Sequence, residues 1–545
     1  MKKIIFSFLI TAALYNTSNA CTNFLISKGA TTDGSTMITY AADSHTLYGE
    51  LYYWDAAKHV SGDSLKVYEW DTGKYLGKIK QVKETYRVVG NINQHQVAIG
   101  ETTYGGRQEL VDTTAIMDYG SLIYITLQRA RTAREAIKIM DELVAEYGYY
   151  SSGESFSIAD PEEVWIMEMI GKGLANKGAV WVAQRVPDGY ISGHANQSRI
   201  TTFTQNDPEN CLFSSDVIEF AREQGYFDGK DKNFDFSAAY APLDFGGARF
   251  CEARVYSGFK KVNAEIVEYE QHAMGYELES RMPLWVKVDK KITVKDVMGL
   301  MRDYFQNTPM DMTKDFGAGS NACIVRWRPL TWEVDGKTYF NERAISTQQT
   351  GFSFVAQMRD WLPDPVGGIL WFGVDDTYST VYTPVFCGIS KTPHVFEVGN
   401  GGMMDFSETS AFWLFNQVSN FAYTRYNLMI PHIQEKQSLL EDGYVSRVME
   451  IDEKIKKIEN EEEQIAYLTQ ASAEMGQNTF DEWKSLYHFL FARYMDGNVK
   501  TKREVPAGYI YVEPDIEQPG YSDYWYKKLV DETGEKFLYQ GEESH

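Results

Sequence analysis

The stretch Cys-Thr-Asn-Phe-Leu-Ile-Ser-Lys-Gly-Ala-Thr-Thr-Asp-Gly-Ser-Thr-Met-Ile-Thr-Tyr, residues 21–40, predicts the beginning of an antiparallel sheet. Two runs of strand-forming residues, 23–27 and 36–40, flank a segment in which Asp-Gly is a strong turn signal. A hairpin brings residues near its two open ends together. We therefore expect Asp43, just beyond the second strand, to lie close to Cys21.

The twenty residues before Cys21 have the pattern of a secretion leader. Two lysines form a positive segment, an apolar run extends to Leu14, and Ser18-Asn19-Ala20 supplies small residues at the cleavage positions. The apolar run is too short for a membrane-spanning helix, and no later stretch is long enough to be one. The sequence thus predicts a signal peptide at 1–20 and an exported protein, periplasmic or extracellular. An uncleaved anchor is the alternative.

Composition limits the classes of partner. The chain of 545 residues has a formal net charge of −23, which disfavours nucleic acid and anionic membrane surfaces and favours solubility outside the cell. Aromatic residues make up 14% of the chain, enough to build a large core and still line a pocket with rings. We expect no nucleic-acid partner and no membrane insertion. The oligomeric state stays open, a homo-oligomer included.

The cysteines indicate a free thiol rather than a disulfide framework. Five cysteines are few for this length, none belongs to a CxxC pair, and no histidine cluster has zinc-ligand spacing. An odd number in an exported protein indicates one free thiol, and Cys21 is the natural candidate. The sequence does not tell whether the other four form disulfides. No metal site is predicted.

The order of the predicted elements indicates stacked antiparallel sheets. Hairpins come first, apolar residues at helical spacing follow within 122–147, and Gly246-Gly247 is predicted as a turn. Strands are predicted at 155–170, 179–186, 322–328 and 351–359. This order favours two antiparallel sheets flanked by helices over a parallel βαβ sheet.

The composition changes after about Ser407. Apolar spacing predicts helices at 410–429, 445–475 and 480–495, and the tail after Val505 is predicted to be irregular. We expect a catalytic core at 21–406 and a mainly helical region at 407–545 packed on it. The acidic run at 461–463 is interpreted as a solvated helix face.

An N-terminal cysteine carries a nucleophile and its base on one carbon. Its α-amine titrates near ~8 and its thiol near ~8.5 in model peptides, so the neutral amine can take the thiol proton. Attack on an amide carbonyl then needs donors aimed at the oxyanion. Asp43 is the nearest carboxylate that could hold the amine, and Asn196 is the most suggestive amide. The segment 101–106 either presents N–H groups to a ligand or forms a surface turn.

A cysteine directly after a leader also marks bacterial lipoproteins, in which its thiol is acylated. Ser18 stands three residues before Cys21, where a lipoprotein usually has an aliphatic residue. A surface lipoprotein that binds peptide or glycan through its aromatic residues is therefore the alternative from a different class.

Residues 21–36 resemble the beginning of the C69 family of bacterial dipeptidases, which are N-terminal nucleophile hydrolases related to choloylglycine and penicillin V acylases. The resemblance continues through Ala42-Asp43-Ser44, Gly100-Glu101-Thr102-Thr103, Trp181 to Pro187, Ala195-Asn196-Gln197-Ser198-Arg199-Ile200 and Ala253-Arg254-Val255-Tyr256. It implies an α+β fold, a four-layer αββα sandwich of two antiparallel sheets, with an added C-terminal helical region.

The resemblance also implies a mechanism. Cys21 matches the family nucleophile, Asp43 resembles the carboxylate that orients the nucleophile and its amine, and Asn196 is similar to the oxyanion-hole amide. The implied activity is hydrolysis of small peptides through an acyl-enzyme, without metal or organic cofactor. An amide acylase of the bile-salt or penicillin V type is the alternative within the class.

Three further positions follow from the same resemblance. Arg254 is similar to an arginine that the relatives keep late in the site, and Thr102 or Thr103 falls where the acylases place a second, substrate-binding donor. Tyr40 is a departure, because many relatives carry an arginine three residues before the aspartate. Arg254 supplies the missing cation, or the pKa of the thiol is higher than in the relatives.

Overall fold

The computed structural model describes residues 21–541. The predicted leader at 1–20 lies outside the described residues, as do 542–545. The strands are β1 (Asn23–Ile26), β2 (Thr36–Asp43), β3 (Tyr53–Trp54), β4 (Ala57–Lys58), β5 (Ser64–Tyr68), β6 (Tyr75–Lys80), β7 (Glu84–Thr85), β8 (Val88–Val89), β9 (Ile92–Asn93), β10 (Ala98–Gly105), β11 (Gly153–Ala159), β12 (Val164–Gly171), β13 (Ala179–Arg185), β14 (Tyr190–His194), β15 (Cys211–Phe213), β16 (Trp285–Lys287), β17 (Thr331–Val334), β18 (Lys337–Phe340), β19 (Thr350–Met358), β20 (Ile369–Val374), β21 (Thr383–Phe386), β22 (Val499–Thr501) and β23 (Asp515–Glu517).

The α-helices are α1 (Tyr119–Leu127), α2 (Ala133–Tyr147), α3 (Val217–Glu223), α4 (Phe236–Tyr240), α5 (Ala253–Lys260), α6 (Glu270–Ala273), α7 (Val294–Met301), α8 (Asp364–Gly367), α9 (Ala411–Ala422), α10 (Tyr426–Ile455), α11 (Glu461–Tyr494) and α12 (Asp523–Thr533). Apolar spacing and a cap together explain α2. Ile137, Met140 and Val144 are buried on one face, and the Thr132 side chain accepts a hydrogen bond from the Glu135 N–H at 3.1 Å.

Two large antiparallel sheets form the centre of the protein. The first has seven strands in the order β16-β14-β1-β2-β19-β20-β21, and the second has eight in the order β15-β13-β12-β11-β10-β9-β8-β3. Strands β1 and β2 pack across the interior against β10, β11 and β12. All eight residues of β12 are buried, because one face meets the opposite sheet and the other meets α2.

Helices cover the outer faces of both sheets. The second sheet packs against α1 and α2, and the first packs against α5, α7 and the long helices α9, α10 and α11. The result is the predicted α+β sandwich of two antiparallel sheets with a C-terminal helical region. The buried apolar core that contains Phe24 of β1 also includes Trp483 of α11, so the C-terminal helices share the packing of the sandwich.

The opening hairpin positions Cys21. Leu25 pairs with Ile38, and the same register places Thr22 opposite Ala41 in an isolated bridge. Asp43 is the last residue of β2. The hairpin register therefore brings Cys21 and Asp43 together, as the turn signal at Asp33-Gly34 predicts.

Two predictions around the site are wrong. Gly246-Gly247 does not form a turn, because both residues belong to a helical segment in which a π-helical stretch, Gly247–Glu252, runs into α5. A Cβ atom at Gly247 would lie 2.3 Å from Oε1 of Gln197, so the glycine permits close packing instead. The predicted strand at 322–328 has no ladder partner among the described residues, and its first residue, Ala322, is left-handed with φ +49°.

The C-terminal boundaries also differ from the prediction. The helical structure is interrupted at 456–460 rather than after 475. The Asn460 side chain accepts a hydrogen bond from the Glu463 N–H at 3.0 Å and so caps the start of α11. The acidic run at 461–463 is exposed and occupies the first turn of this helix, where the helix dipole favours negative charge. The tail after Val505, predicted as irregular, contains α12 and the strand β23, which pairs with β22.

Between residues 21 and 541, none of the helices combines the length and the apolar character that a bilayer crossing requires.

Removing the Trp483 side chain should destabilise the whole fold. Trp483 is fully buried and stacks on Phe415 with ring centroids 4.6 Å apart. We expect Trp483→Ala to lower the free energy of unfolding by about 3–5 kcal/mol, since a large buried ring leaves a cavity. Leu439→Ala, at an exposed position of α10, is the control and should change it by about 0.5 kcal/mol or less. Chemical denaturation measures both, and early loss of the helices with an unchanged sandwich transition would contradict the shared core.

Candidate active site

Cys21 lies at the end of the opening hairpin with only 3% of its surface exposed. Its Sγ atom is 3.9 Å from the Tyr40 hydroxyl and 3.9 Å from Oε1 of Glu101. Burial raises the pKa of this thiol, and the backbone N–H of Asp43, which donates toward the sulfur, opposes part of that rise. The strands β2 and β10 thus supply the immediate surroundings of this thiol.

A buried carboxyl pair stands beside the thiol. Glu101 accepts a hydrogen bond from the Tyr40 hydroxyl at 2.5 Å, and Glu154 accepts one from the Thr103 hydroxyl at 2.8 Å. Burial raises the pKa of Glu101 to about 7, and burial together with the charge of Glu101 raises the pKa of Glu154 well above its usual range. The two carboxyls hydrogen-bond to each other, so we infer that they share one proton near neutral pH.

These surroundings hold Cys21 as a thiol. Burial raises its pKa most, and the negative charges of Glu101 and Asp43 raise it further. Tyr40, at the place where relatives often carry arginine, connects to a carboxylate instead of supplying a cation. In the full-length chain the Cys21 nitrogen is an amide bonded to Ala20, which adds no positive charge. Two outcomes were expected where Tyr40 replaces the arginine, namely a cation from Arg254 or a higher thiol pKa. The higher thiol pKa is the one found in the chain in which Cys21 is still joined to Ala20.

Asp43 is buried beside Cys21, and its carboxylate is tied to other groups. Arg343 Nη2 donates to Oδ2 at 2.5 Å, and the Thr350 hydroxyl donates to Oδ1 at 2.6 Å. Burial raises the pKa of this carboxyl, although the charge of Arg343 opposes the rise. The Asp43–Arg343 ion pair fixes the end of β2 next to the nucleophile.

Arg254 connects the predicted residues to one another. It is 1% exposed, and all five of its N–H groups have oxygen acceptors. These acceptors are the carbonyl of Phe250 at 2.8 Å, the carbonyl of Cys21 at 2.6 Å, the hydroxyl of Thr22 at 2.8 Å, the carbonyl of Ala195 at 3.2 Å and Oδ1 of Asn196 at 2.8 Å. One guanidinium therefore joins the nucleophile's own carbonyl to the candidate oxyanion amide.

The two threonines orient Asn196. Its backbone is left-handed with φ +57°, a conformation that asparagine tolerates better than most residues. Its N–H donates to the Thr102 hydroxyl at 3.2 Å, and its Nδ2 donates to the carbonyl of Thr103 at 2.7 Å. Thr102 is fully buried and also contacts Nδ1 of His194 at 2.8 Å. Both threonines lie inside β10, so the surface-turn interpretation of 101–106 is wrong for them.

Two cavities adjoin this cluster. The smaller, of about 310 Å³, reaches Cys21, Asp43 and Glu101 and is walled mainly by aromatic rings. The larger, of about 740 Å³, is lined by Thr103 and Asn196, by three arginines and by three carboxylates, which are Arg254, Arg328, Arg343, Glu69, Asp71 and Glu154. Asp71 and Tyr119 line both cavities. Thr102 lines neither of them.

The five cysteines of the chain all lie within the described residues, and all are free thiols. The sequence did not tell whether the four other than Cys21 form disulfides. Burial raises the pKa of Cys211 to about 12 and of Cys323 to about 11, so these thiols are held neutral. Among the five, Cys21 is the thiol that lies between the paired carboxyls and the residues that the family resemblance singles out.

Two stacked antiparallel sheets between helical layers define an α+β sandwich, and a buried thiol at the edge of the smaller cavity is its candidate nucleophile. The model of peptidase family C69 matches residues 64–438. The chain belongs to this family and is a peptidase. The matched range begins after Cys21, and it contains Asn196, Arg254 and the carboxyl pair.

Curated relatives agree with this assignment. A probable dipeptidase of Latilactobacillus sakei is 24% identical over 84% of this chain and 92% of its own length. A probable dipeptidase B of Lactococcus lactis is 23% identical over 85% of this chain and 93% of its own length. A probable dipeptidase of Salmonella dublin is 23% identical over 71% of this chain and 86% of its own length.

The sequence did not single out several charged residues of the site. Sequence patterns assign no site role to Glu101, Glu154, Asp71, Arg328 or Arg343. Glu101 and Glu154 meet because β10 and β11 are paired, with Thr103 opposite Glu154. A charged residue inside a strand that is otherwise buried is the local signal that could have indicated the pair. The arginines carry no such signal.

Neutralising Glu101 should lower the pKa of the Cys21 thiol. The carboxyl ionises around pH 7, so its charge is present when the thiol titrates at higher pH and opposes formation of the thiolate. We expect Glu101→Gln to move the pH midpoint of Cys21 alkylation downward by about one unit or more. Mass spectrometry of the Cys21 peptide gives the rate separately from the other cysteines.

Glu69→Gln is the matched control, because Glu69 lines the larger cavity and is not among the charges that raise the thiol pKa. Its midpoint should stay at the wild-type value. An unchanged or higher midpoint for Glu101→Gln would show that the carboxylate does not control this thiol.

Proposed function

We propose that the protein is an exported cysteine dipeptidase whose nucleophile, Cys21, becomes the N-terminal residue when 1–20 are removed. The observation that carries the proposal is the Arg254 guanidinium, which bonds both the Cys21 carbonyl and the Asn196 side chain beside a cavity. The names of the curated relatives, probable dipeptidases in each case, favour a dipeptide over other amides. Small peptides are the proposed partners.

The first chemical step is acylation. The free α-amine of Cys21 takes the thiol proton, and the thiolate attacks the carbonyl carbon of the peptide bond. The resulting oxyanion accepts a hydrogen bond from the Asn196 side-chain amide, which Arg254 and Thr103 hold in place. The C–N bond then breaks, the leaving amine takes the proton from the α-ammonium, and a thioester remains on Cys21.

Deacylation returns the enzyme to its starting state. The α-amine accepts a proton from water, and the hydroxide attacks the thioester carbonyl. The C–S bond breaks, the acid product leaves, and the proton returns to the sulfur. The scheme uses only groups of the chain, the substrate and one water molecule.

Leader removal completes the site electrostatically as well as chemically. An amide nitrogen has no basic lone pair, so the chain joined at Ala20 lacks the base. Cleavage places an ammonium next to a thiol whose pKa is raised by burial, Glu101 and Asp43. An adjacent positive charge lowers the pKa of a thiol. The negative surroundings of Cys21 are therefore suited to stabilise the ammonium that cleavage creates and that each proton transfer regenerates.

Cys21→Ala should abolish dipeptide hydrolysis, since it removes the nucleophile. We expect the rate to fall by at least about 10³-fold, within the range seen when a nucleophile is deleted, while the unfolding midpoint stays close to that of the wild type. Cys323→Ala is the matched control and should keep full activity, because burial holds that thiol neutral. A retained rate in Cys21→Ala would refute the mechanism.

The mass of the mature protein tests how Cys21 becomes N-terminal. We expect the exported protein to begin at an unmodified Cys21, because only a free amine and thiol supply both base and nucleophile. Intact mass spectrometry distinguishes this from a diacylglycerol adduct, which would identify a lipoprotein and remove both groups.

Comparing the rates of hydrolysis of dipeptides with those of a conjugated bile acid and penicillin V distinguishes the dipeptidase from an acylase.

A further inference from the structure

We propose that Arg328 binds the C-terminal carboxylate of the dipeptide and so restricts the enzyme to substrates that end one residue after the cleaved bond. The inference rests on the proposed function and adds the group that defines the substrate. It starts from the charges in the larger cavity, which Arg254, Arg328 and Arg343 line together with Asn196.

Two of these arginines are already committed. Arg254 uses its five N–H groups on five oxygens of the chain. Arg343 forms an ion pair with Asp43 at 2.5 Å. Neither has the combination of an uncompensated charge and available donors that recognition of a carboxylate requires.

Arg328 differs from both. Its Nε and Nη2 atoms donate to one acceptor, Oε1 of Gln349, at 2.9 and 2.5 Å. Among residues 21–541 no carboxylate lies within ion-pair distance of it, and its remaining N–H groups have no acceptor. Arg328 is half-buried, and burial followed by the charge of Arg343 lowers its pKa to about 10, so it stays charged at neutral pH.

A half-buried cation without a counter-ion is unfavourable until an anion binds. Gln349 fixes one edge of the planar guanidinium, which leaves its other N–H groups to bind a carboxylate in the forked geometry that arginine favours. A substrate carboxylate at this place would form a charge-assisted pair with Arg328. No carboxylate of the described chain forms such a pair with it.

The negative charges of the same cavity fit the other end of the substrate. Glu69, Asp71 and Glu154 line the larger cavity together with the arginines, and Asp71 also lines the smaller cavity that reaches Cys21. A dipeptide at neutral pH carries one ammonium and one carboxylate and spans at most about 7 Å. A cavity lined by charges of both signs, which shares Asp71 and Tyr119 with the smaller cavity that reaches Cys21, matches a zwitterion of this length better than an uncharged amide.

The substrate provides the sharpest test. A dipeptide such as Ala-Ala and its C-terminal amide differ only in the carboxylate that Arg328 is proposed to bind. We expect the wild type to prefer the free acid, and Arg328→Gln to lower kcat/KM for it by about tenfold to a hundredfold, mainly through KM, while kcat/KM for the amide changes less than about threefold. Arg328→Lys should retain part of the preference, because it keeps the charge but not the fork.

Arg447→Gln, on the exposed face of α10, is the matched control and should leave both substrates at the wild-type rate. Equal losses for the free acid and the amide in Arg328→Gln would assign this arginine a structural role and overturn the inference. A wild type that hydrolyses both substrates equally well would overturn it too, while leaving the dipeptidase proposal intact.

Binding separates the inference from the proposed reaction. Calorimetry with Cys21→Ala, and with Cys21→Ala combined with Arg328→Gln, measures affinity for Ala-Ala and its amide without turnover. Weaker binding of the free acid alone in the double variant supports the inference even if the wild type proves inactive, which would refute only the proposed function. Absence of binding to Cys21→Ala together with absence of hydrolysis by the wild type would overturn both.

Discussion

The buried guanidinium of Arg254 is the interaction on which the arrangement of the site depends. A fully buried charge is tolerated in a protein only where its donors are satisfied, and here each of the five meets an oxygen of the chain. The acceptors come from the beginning of the opening hairpin, from the residues after β14 and from the π-helical segment before α5. Loss of any one of these segments would leave buried N–H donors of the guanidinium unsatisfied, so they are held together in one geometry.

Around this cation the charges follow a consistent pattern. Carboxyls lie beside the thiol, where Glu101 is paired with Glu154 and accepts a hydrogen bond from the Tyr40 hydroxyl. Three arginines line the larger cavity with Asn196, and of these Arg343 pairs with Asp43, whereas Arg328 has no carboxylate partner among the described residues. Such an environment disfavours a thiolate in the uncleaved chain and favours an ammonium at the same place. If Cys21 becomes N-terminal as proposed, the same negative groups stabilise the ammonium form of its α-amine.

Local sequence predicted the fold well where the pattern itself determines the structure. The Asp33-Gly34 turn between two apolar runs predicted the opening hairpin, and helical spacing predicted α1 and α2. Predictions based on single residues fared worse, because packing overrode them. Gly247 marks a close approach of the helix to Gln197 rather than a turn, and the start of α11 is decided by the Asn460 cap rather than by apolar spacing. The stretch 322–328 is apolar in its first half but has no strand to pair with.

The sequence alone determined the nucleophile candidate, the proximity of Asp43 to Cys21 and the residues that the family resemblance singles out, because a hairpin register and a family motif are both local in the chain. Only the tertiary structure decided the electrostatics. Arg343 is 300 residues from Asp43, and Glu101 meets Glu154 across two strands, so no local pattern records either pair. The state of the thiol depends on burial and on these distant charges, and both arise only when the two sheets and their helical layers close around Cys21.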